Sequence, residues 1–321
     1  MFHIVENRKW YFLLSALVII PGLIAMIYTM AVTPNHVPFK LAIDFTGGAL
    51  WELTMPQASQ AGDVRAVFVS NGQEDTAVTM SGDGKTAIVR TKTLSEDARA
   101  TLLKALQARF PGIKEESFSS VGPSIGNEVT NAALLAVIGS SLVILLFLVI
   151  AFRRAPNPIR YGVTAIIASL HDLLVTLGVF SILSLVLGWE ADALFLTAVL
   201  TVIGFSVQDT IVVFDRIREN LAKHRGEKLS RVVNRSLLET LHRSVAIHLT
   251  ALFVLVAILI FGGSTIKPFI ATLLIGVTTG TYSSIFNASQ LLVGWEEGDW
   301  LGLHAQVPAA ERNGAQPQTA A

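Results

Sequence analysis

The chain has 321 residues, of which 52% are hydrophobic and 15% charged, and its formal net charge is zero. That is too apolar for an ordinary soluble domain of this length, and the charge balance leaves no basic footprint for nucleic acid. No cysteine is present, which excludes disulfides, thiol catalysis and cysteine metal sites.

The apolar residues fall in blocks long enough for membrane spans of about 20 residues. The first runs from Trp10 to about Val32. It follows Arg8 and Lys9 as a leader would, but exceeds the ~7–15 apolar residues of a signal h-region, so it reads as a retained anchor. A stretch from Thr33 to Val129 comes next, the only one with room for an independent domain. It predicts strands at Phe39–Phe45 and Ala49–Met55, a helix over Ala58–Ser70, and strands at Thr76–Met80 and Thr86–Thr91. The turn Ser81-Gly82-Asp83-Gly84 splits the last two. A second helix is expected from Ser95, as N-cap, to Phe110, stopped by Pro111-Gly112, and a last strand over Ile113–Ser120. After the first hairpin this order suits a ferredoxin-like, split β-α-β layer.

Five further spans are expected at about Ala132–Phe152, Tyr161–Leu187, Ala193–Phe214, Ser244–Phe261 and Ile266–Val293. Short loops carrying Arg153, Arg154 and Arg160, and the basic loop 215–243, contrast with the nearly bare Gly188–Asp192 and Gly262–Pro268. Basic loops stay in the cytoplasm. The expected fold is therefore a bundle of six transmembrane helices with both termini cytoplasmic and one small external α+β domain between helices 1 and 2. The expected divisions are 1–32 (terminus and first helix), 33–129 (external), 130–298 (helices 2–6) and 299–321 (a polar, disordered tail). The basic loop is expected to be helical, with Val232, Val233, Leu237, Leu238 and Leu241 near helical spacing, and able to lie along the membrane face.

Charges inside such spans are costly, about 2.5–3.5 kcal/mol on insertion scales, and mark function by default. Asp209 lies about 17 residues, or roughly 26 Å, in from Asp192. Arg243 lies about 19 residues, or roughly 28 Å, in from Gly262 on the antiparallel neighbour. An acid and a base thus reach similar depth, and pairing lowers the cost of burying both. His171 and Asp172 fall near mid-membrane in the third span, where imidazole and carboxylate can hold and pass protons. Ser206, Gln208 and several span threonines offer further polar steps. Gly276 and Gly280 stand at the spacing of close helix packing, and Thr278, Thr279, Thr281, Ser283, Ser284 and Asn287 of the same span can make interhelical bonds. The same ionisable residues also suit a purely structural ion pair.

The motifs "AIDFTGG" (Ala42–Gly48), "VGPSIGNEV" (Val121–Val129), "HD" (His171–Asp172), "TVIGFSVQDTIVVFDRIREN" (Thr201–Asn220), "NRSLLETLHRS" (Asn234–Ser244) and "FGG" (Phe261–Gly263) occur in one order. In that order and topology the chain resembles the SecD/SecF family of the resistance–nodulation–division superfamily, on the side of the smaller, SecF-like partner. The resemblance implies a bacterial inner-membrane subunit that pairs with SecD and acts with the SecYEG channel. It implies use of the proton gradient, or sodium in some species, to pull a translocating polypeptide outward within membrane lipid. It implies no enzyme activity, no cofactor beyond a coupling ion, and no nucleic acid. The family's membrane charges map onto Asp209 and Arg243, with His171 and Asp172 also matching. Gln208 stands where the family has Asn, and Phe205 where Tyr is common. A small-molecule or lipid exporter of the same superfamily and a non-transporting scaffold are the other readings.

Overall fold

The computed structural model describes residues 4–33, 36–80, 84–153 and 157–300. The chain divides into two compact units, one of residues 1–39, 139–189 and 194–321, the other of 40–138 and 190–193. Arg154, most of the turn at Ser81-Gly82-Asp83, and the tail beyond Trp300 lie outside the described residues.

The first unit is helical. Its helices are α1 (Arg8–Val32), the later part of α5 (Pro123–Ala151), then α6 (Pro158–Leu187), α7 (Ala193–Lys223, all but its first residue) and α8 (Leu229–Phe261), followed by α9 (Lys267–Ser283). A π turn, Ser284–Ala288, joins α9 to α10 (Ser289–Glu297). Among the described residues six helical stretches are long and apolar enough to cross a membrane, counting Lys267–Glu297 as one. Small residues set the spacing. A Cβ on Gly178 of α6 would stand 2.8 Å from the Cα of Gly22 on α1, so the two backbones touch. A Cβ on Gly276 of α9 would stand 2.8 Å from Val202 Cβ, and one on Gly280 would stand 3.3 Å from Ser206 Cα, so α9 lies directly on α7. Next to the glycine contact, the hydroxyls of Thr29 and Ser181 are 3.3 Å apart. Phe152, Tyr161, Phe214, Ile217, Val233 and Leu292 belong to one apolar core of this unit.

The basic loop is helical, as its sequence leads one to expect. Its residues prolong α7 and α8 as continuous rods, leaving only 224–228 between them. Charged residues are good helix formers, and here they are also paired. Arg216 bonds Glu219 and Glu239, both at 2.6 Å, and Asn220 bonds Ser236 at 3.0 Å. Val232, Val233 and Leu237 are buried beneath them. Arg8, expected only as a topology signal, is buried and paired with Asp299 at 2.9 Å.

The second unit carries the sheet. Strands β1 (Gly48–Thr54), β2 (Ala77–Met80), β3 (Thr86–Thr91) and β4 (Lys114–Val121) run in the order β2-β3-β1-β4, every neighbour antiparallel. With α3 (Ala61–Ser70) and α4 (Glu96–Arg109) between strands, β3 sits between β1 and β2, the split β-α-β arrangement. Ser95 caps α4 by accepting from Ala98 N–H, and Gly112, at φ +95°, ends the turn after it.

The expected strand over Phe39–Phe45 does not form. Both edges of β1 are already taken, by β3 and β4, so no ladder is open to it. Leu41 makes one parallel bridge to Ala191, and Ile43–Thr46 coils into a helical turn, α2. Gly47 and Gly48, at φ +72° and +119°, then carry the chain into β1; a Cβ at Gly47 would meet Pro123 at 2.9 Å. Asp44 in that turn accepts from Ala193 N–H, at the start of α7, at 2.9 Å.

Trp51 anchors the small core. It is 1% exposed, meets Phe68 and Phe118 edge to face, and donates to Glu115 at 3.0 Å. Trp51→Ala is expected to cost about 3–5 kcal/mol, a large share of what so small a unit holds. Limited proteolysis of the full chain in detergent checks this: cleavage should appear within 40–138 while the helical unit stays intact.

Candidate functional site

Four helices, α6 to α9, and the π turn bring two carboxylates into a web of hydroxyls. Asp209, on α7, is buried; its Oδ1 accepts from Ser244 Oγ of α8 at 2.8 Å, and its Oδ2 accepts from Ser284 Oγ. Asp172, on α6, is fully buried; its Oδ2 accepts from Ser206 Oγ of α7 and from Ser283 Oγ of α9, both at 2.6 Å. Its Oδ1 lies 3.0 Å from His171 Nδ1. A buried carboxylate needs such donors, because an unsatisfied charge in a low-dielectric interior is costly.

The geometry follows from the helix period. Successive residues point about 100° apart around a helix. Ser283 and Ser284 therefore face different neighbours, one Asp172 and the other Asp209. Ser206 and Asp209, three apart on α7, share a face, so α7 carries one acid and bonds the other. The π turn begins at Ser284, whose carbonyl also accepts from Ser289 Oγ at 3.0 Å. Such turns recur at functional sites.

A serine hydroxyl has one hydrogen. Ser284 Oγ also lies 2.9 Å from Gly280 carbonyl. With Asp209 ionised, the hydrogen points to the carboxylate. With Asp209 protonated, the carboxyl can donate and the hydroxyl can turn to Gly280. The site thus satisfies either protonation state without moving a helix.

Arg243 forms no ion pair with Asp209 in this structure; Ser244, the next residue along α8, occupies that carboxylate. Arg243 is exposed on the helix surface, as is Gln208. All three nonetheless line one cavity of about 80 Å³, with Phe205, Val212, Ile247, His248, Ala251 and Val277. That is room for a few water molecules. The structure therefore places Asp209, Gln208 and Arg243 around one space, and His171 with Asp172 in an adjoining cluster joined to it by Ser206–Asp209 and Ser283–Ser284.

Ser283 and Ser284 make the interhelical bonds that their span's hydroxyls suggested, whereas Thr278 and Thr281 bond back to their own helix. Ser244 was hidden, since nothing in the sequence separates it from hydroxyls bonded back to their own helix, as Thr201 is. His248 was also missed, although an ionisable residue inside an apolar span was signal enough.

The comparisons bear on this constellation. Residues 101–298 match the family described as "Protein export membrane protein SecD/SecF, C-terminal". The chain is similar to the "Protein translocase subunit SecF" of Thermobaculum terrenum, 45% identical over 94% of this chain and 96% of that one. It is also similar to the protein of the same description from Anaerolinea thermophila, 42% identical over 94% and 96%. Among solved structures it resembles SecDF of Thermus thermophilus, described as a translocon-associated membrane protein, with TM-score 0.77 and 30% identity. That match covers 92% of this chain and 39% of the longer SecDF chain. Matched by the family over most of its membrane helices, and by SecF relatives over nearly its whole length, the chain is a multi-pass membrane protein that belongs to the SecD/SecF family.

Proposed function

We propose that the chain is the SecF-type subunit of the Sec protein-export machinery. It pairs with SecD, works beside the SecYEG channel, and uses an ion gradient, of protons in the first instance, to draw the exported polypeptide outward. Both termini lie in the cytoplasm, and residues 33–129 form the outer domain that meets the emerging chain. The orientation rests on the basic residues of the short loops. The observation that carries the motor reading is a buried carboxylate, Asp209, whose two oxygens rest on exchangeable hydroxyls beside a cavity that Arg243 shares. The donors that Asp209 receives are rotatable hydroxyls. A fixed bidentate arginine would hold it ionised.

In the working cycle a proton entering from outside neutralises Asp209. Arg243, attracted to the ionised form and indifferent to the neutral one, then shifts its position along the cavity. Departure of the proton to the cytoplasm restores the attraction. The helices α7 and α8 carry that difference outward through their continuous rods.

The test uses inverted membrane vesicles carrying the chain with its partner. Collapsing the pH gradient at constant ATP is expected to slow the late stage of export severalfold, with the ATP-driven stage unchanged. Late export that proceeds at full rate without the gradient sinks the motor reading and leaves a scaffold. Loss only when a sodium gradient is collapsed assigns sodium as the coupling ion.

A further inference from the structure

The cavity beside Asp209 contains a third ionisable group that the cycle above leaves idle. His248 sits on α8, one turn beyond Ser244, and is 9% exposed. Its Nδ1 lies 2.7 Å from the Ser244 carbonyl. A carbonyl only accepts, so Nδ1 must carry the hydrogen, and the tautomer is fixed. Nε2 is then the nitrogen left to gain and lose a proton, and the residue lines the cavity with Asp209 and Arg243. The same Ser244 donates its hydroxyl to Asp209, so one residue orients both the imidazole and the carboxylate.

The surroundings are otherwise uncharged. The cavity receives Phe205, Gln208, Asp209 and Val212 from α7, and only Val277 from α9. From α8 itself come Arg243, Ser244, Ile247 and Ala251. Asp209 and Arg243 are therefore the charged groups that His248 faces across this space. A carboxylate favours imidazolium and a guanidinium disfavours it.

We propose that His248 is a second proton-binding group of this cavity. It collects a proton on Nε2 and passes it through the cavity to the Asp209 carboxylate. In that step the imidazolium becomes neutral imidazole and the carboxylate becomes a carboxyl, while Nδ1 keeps its hydrogen on Ser244 carbonyl throughout. The inference rests on the proton-driven reading given above.

The experiment compares the wild type, His248→Asn and Asp209→Asn as full-length chains reconstituted with the partner subunit. Proton flux and export are followed across pH at constant gradient. Asparagine is chosen because its amide can keep the donation to Ser244 carbonyl and cannot be protonated. An imidazole passes from about 90% to about 10% charged over roughly two pH units, so losing it moves the fall of the profile toward acid and cuts flux at neutral pH about tenfold. At acid pH the variant should approach the wild type. A uniform loss at every pH, or a profile identical to the wild type, overturns the proposal. A histidine NMR titration supplies a readout that a packing role does not move. One imidazole signal, absent in His248→Asn, should titrate with a midpoint that falls in Asp209→Asn, because the favouring negative charge is gone. A His248 signal that is flat from about pH 5 to 9, or indifferent to Asp209, overturns it as well. Flux that survives in Asp209→Asn counts against the proton-driven reading itself, and so separates the two failures.

Discussion

Asp209→Asn is expected to bring gradient-driven export to background while the chain still folds and inserts. The substitution keeps size and shape. Asn Oδ1 can still accept from Ser244, and Ser284 can turn its hydrogen to Gly280 carbonyl, 2.9 Å away, as the amide donates to its oxygen. The structural cost is thus on the scale of one altered hydrogen bond, about 1 kcal/mol. The functional cost is total, because an amide neither ionises nor carries a proton at these pH values. Arg243 then meets the same neutral partner at every stage, and nothing in the cavity changes as ions pass. The check pairs an immunoblot for the inserted chain with the export rate of a reporter, measured with and without the gradient. A well-inserted variant with normal stimulation removes Asp209 from the mechanism.

The second large effect is structural. Gly178→Leu should drive α1 away from α6. Even a methyl at this position would stand 2.8 Å from Gly22 Cα and 3.2 Å from its carbonyl carbon, and no flexible side chain is there to yield. Overpacking of this kind costs about 1–3 kcal/mol for the first added carbons, and a leucine forces the backbones apart. The neighbouring contact between Thr29 and Ser181 should open with it. Because the chain has no cysteine, a Thr29→Cys, Ser181→Cys pair gives a clean probe. Its crosslinking should be efficient with Gly178 in place and weak with Leu, alongside a lower thermal midpoint in detergent. Undiminished crosslinking would show that the two helices are not held by this glycine pair.

Much of this architecture was legible because a bilayer imposes blunt rules. Apolar runs such as Trp10–Val32 announced the helices, and an acid in the middle of one, Asp209, announced the site. The two failures share a cause, which is that burial and local preference do not reveal who the neighbour is. Residues 39–45 read as a strand because Phe39, Leu41, Ile43 and Phe45 fall at alternate positions, yet β1 had no edge to offer them. The charged stretch after Phe214 was legible as helix, because its residues favour helix; what it did not reveal was its partners across the gap, as Asn220 finds in Ser236. The site was half legible for a similar reason. Carboxylates stand out in an apolar span whatever they touch. Hydroxyls do not, since Thr201 bonded to its own helix and Ser206 reaching across to Asp172 look alike in one dimension.

The π turn at Ser284–Ala288 sets the rotational phase of everything after it. One added residue in a turn advances the remaining helix by roughly 100° relative to an unbroken one. Ser289, Leu292 and Val293 are buried on that shifted phase. Deleting a single residue from the turn would leave the amino acids beyond it chemically intact and present the wrong side of α10 to the bundle. In this segment, counting matters more than composition.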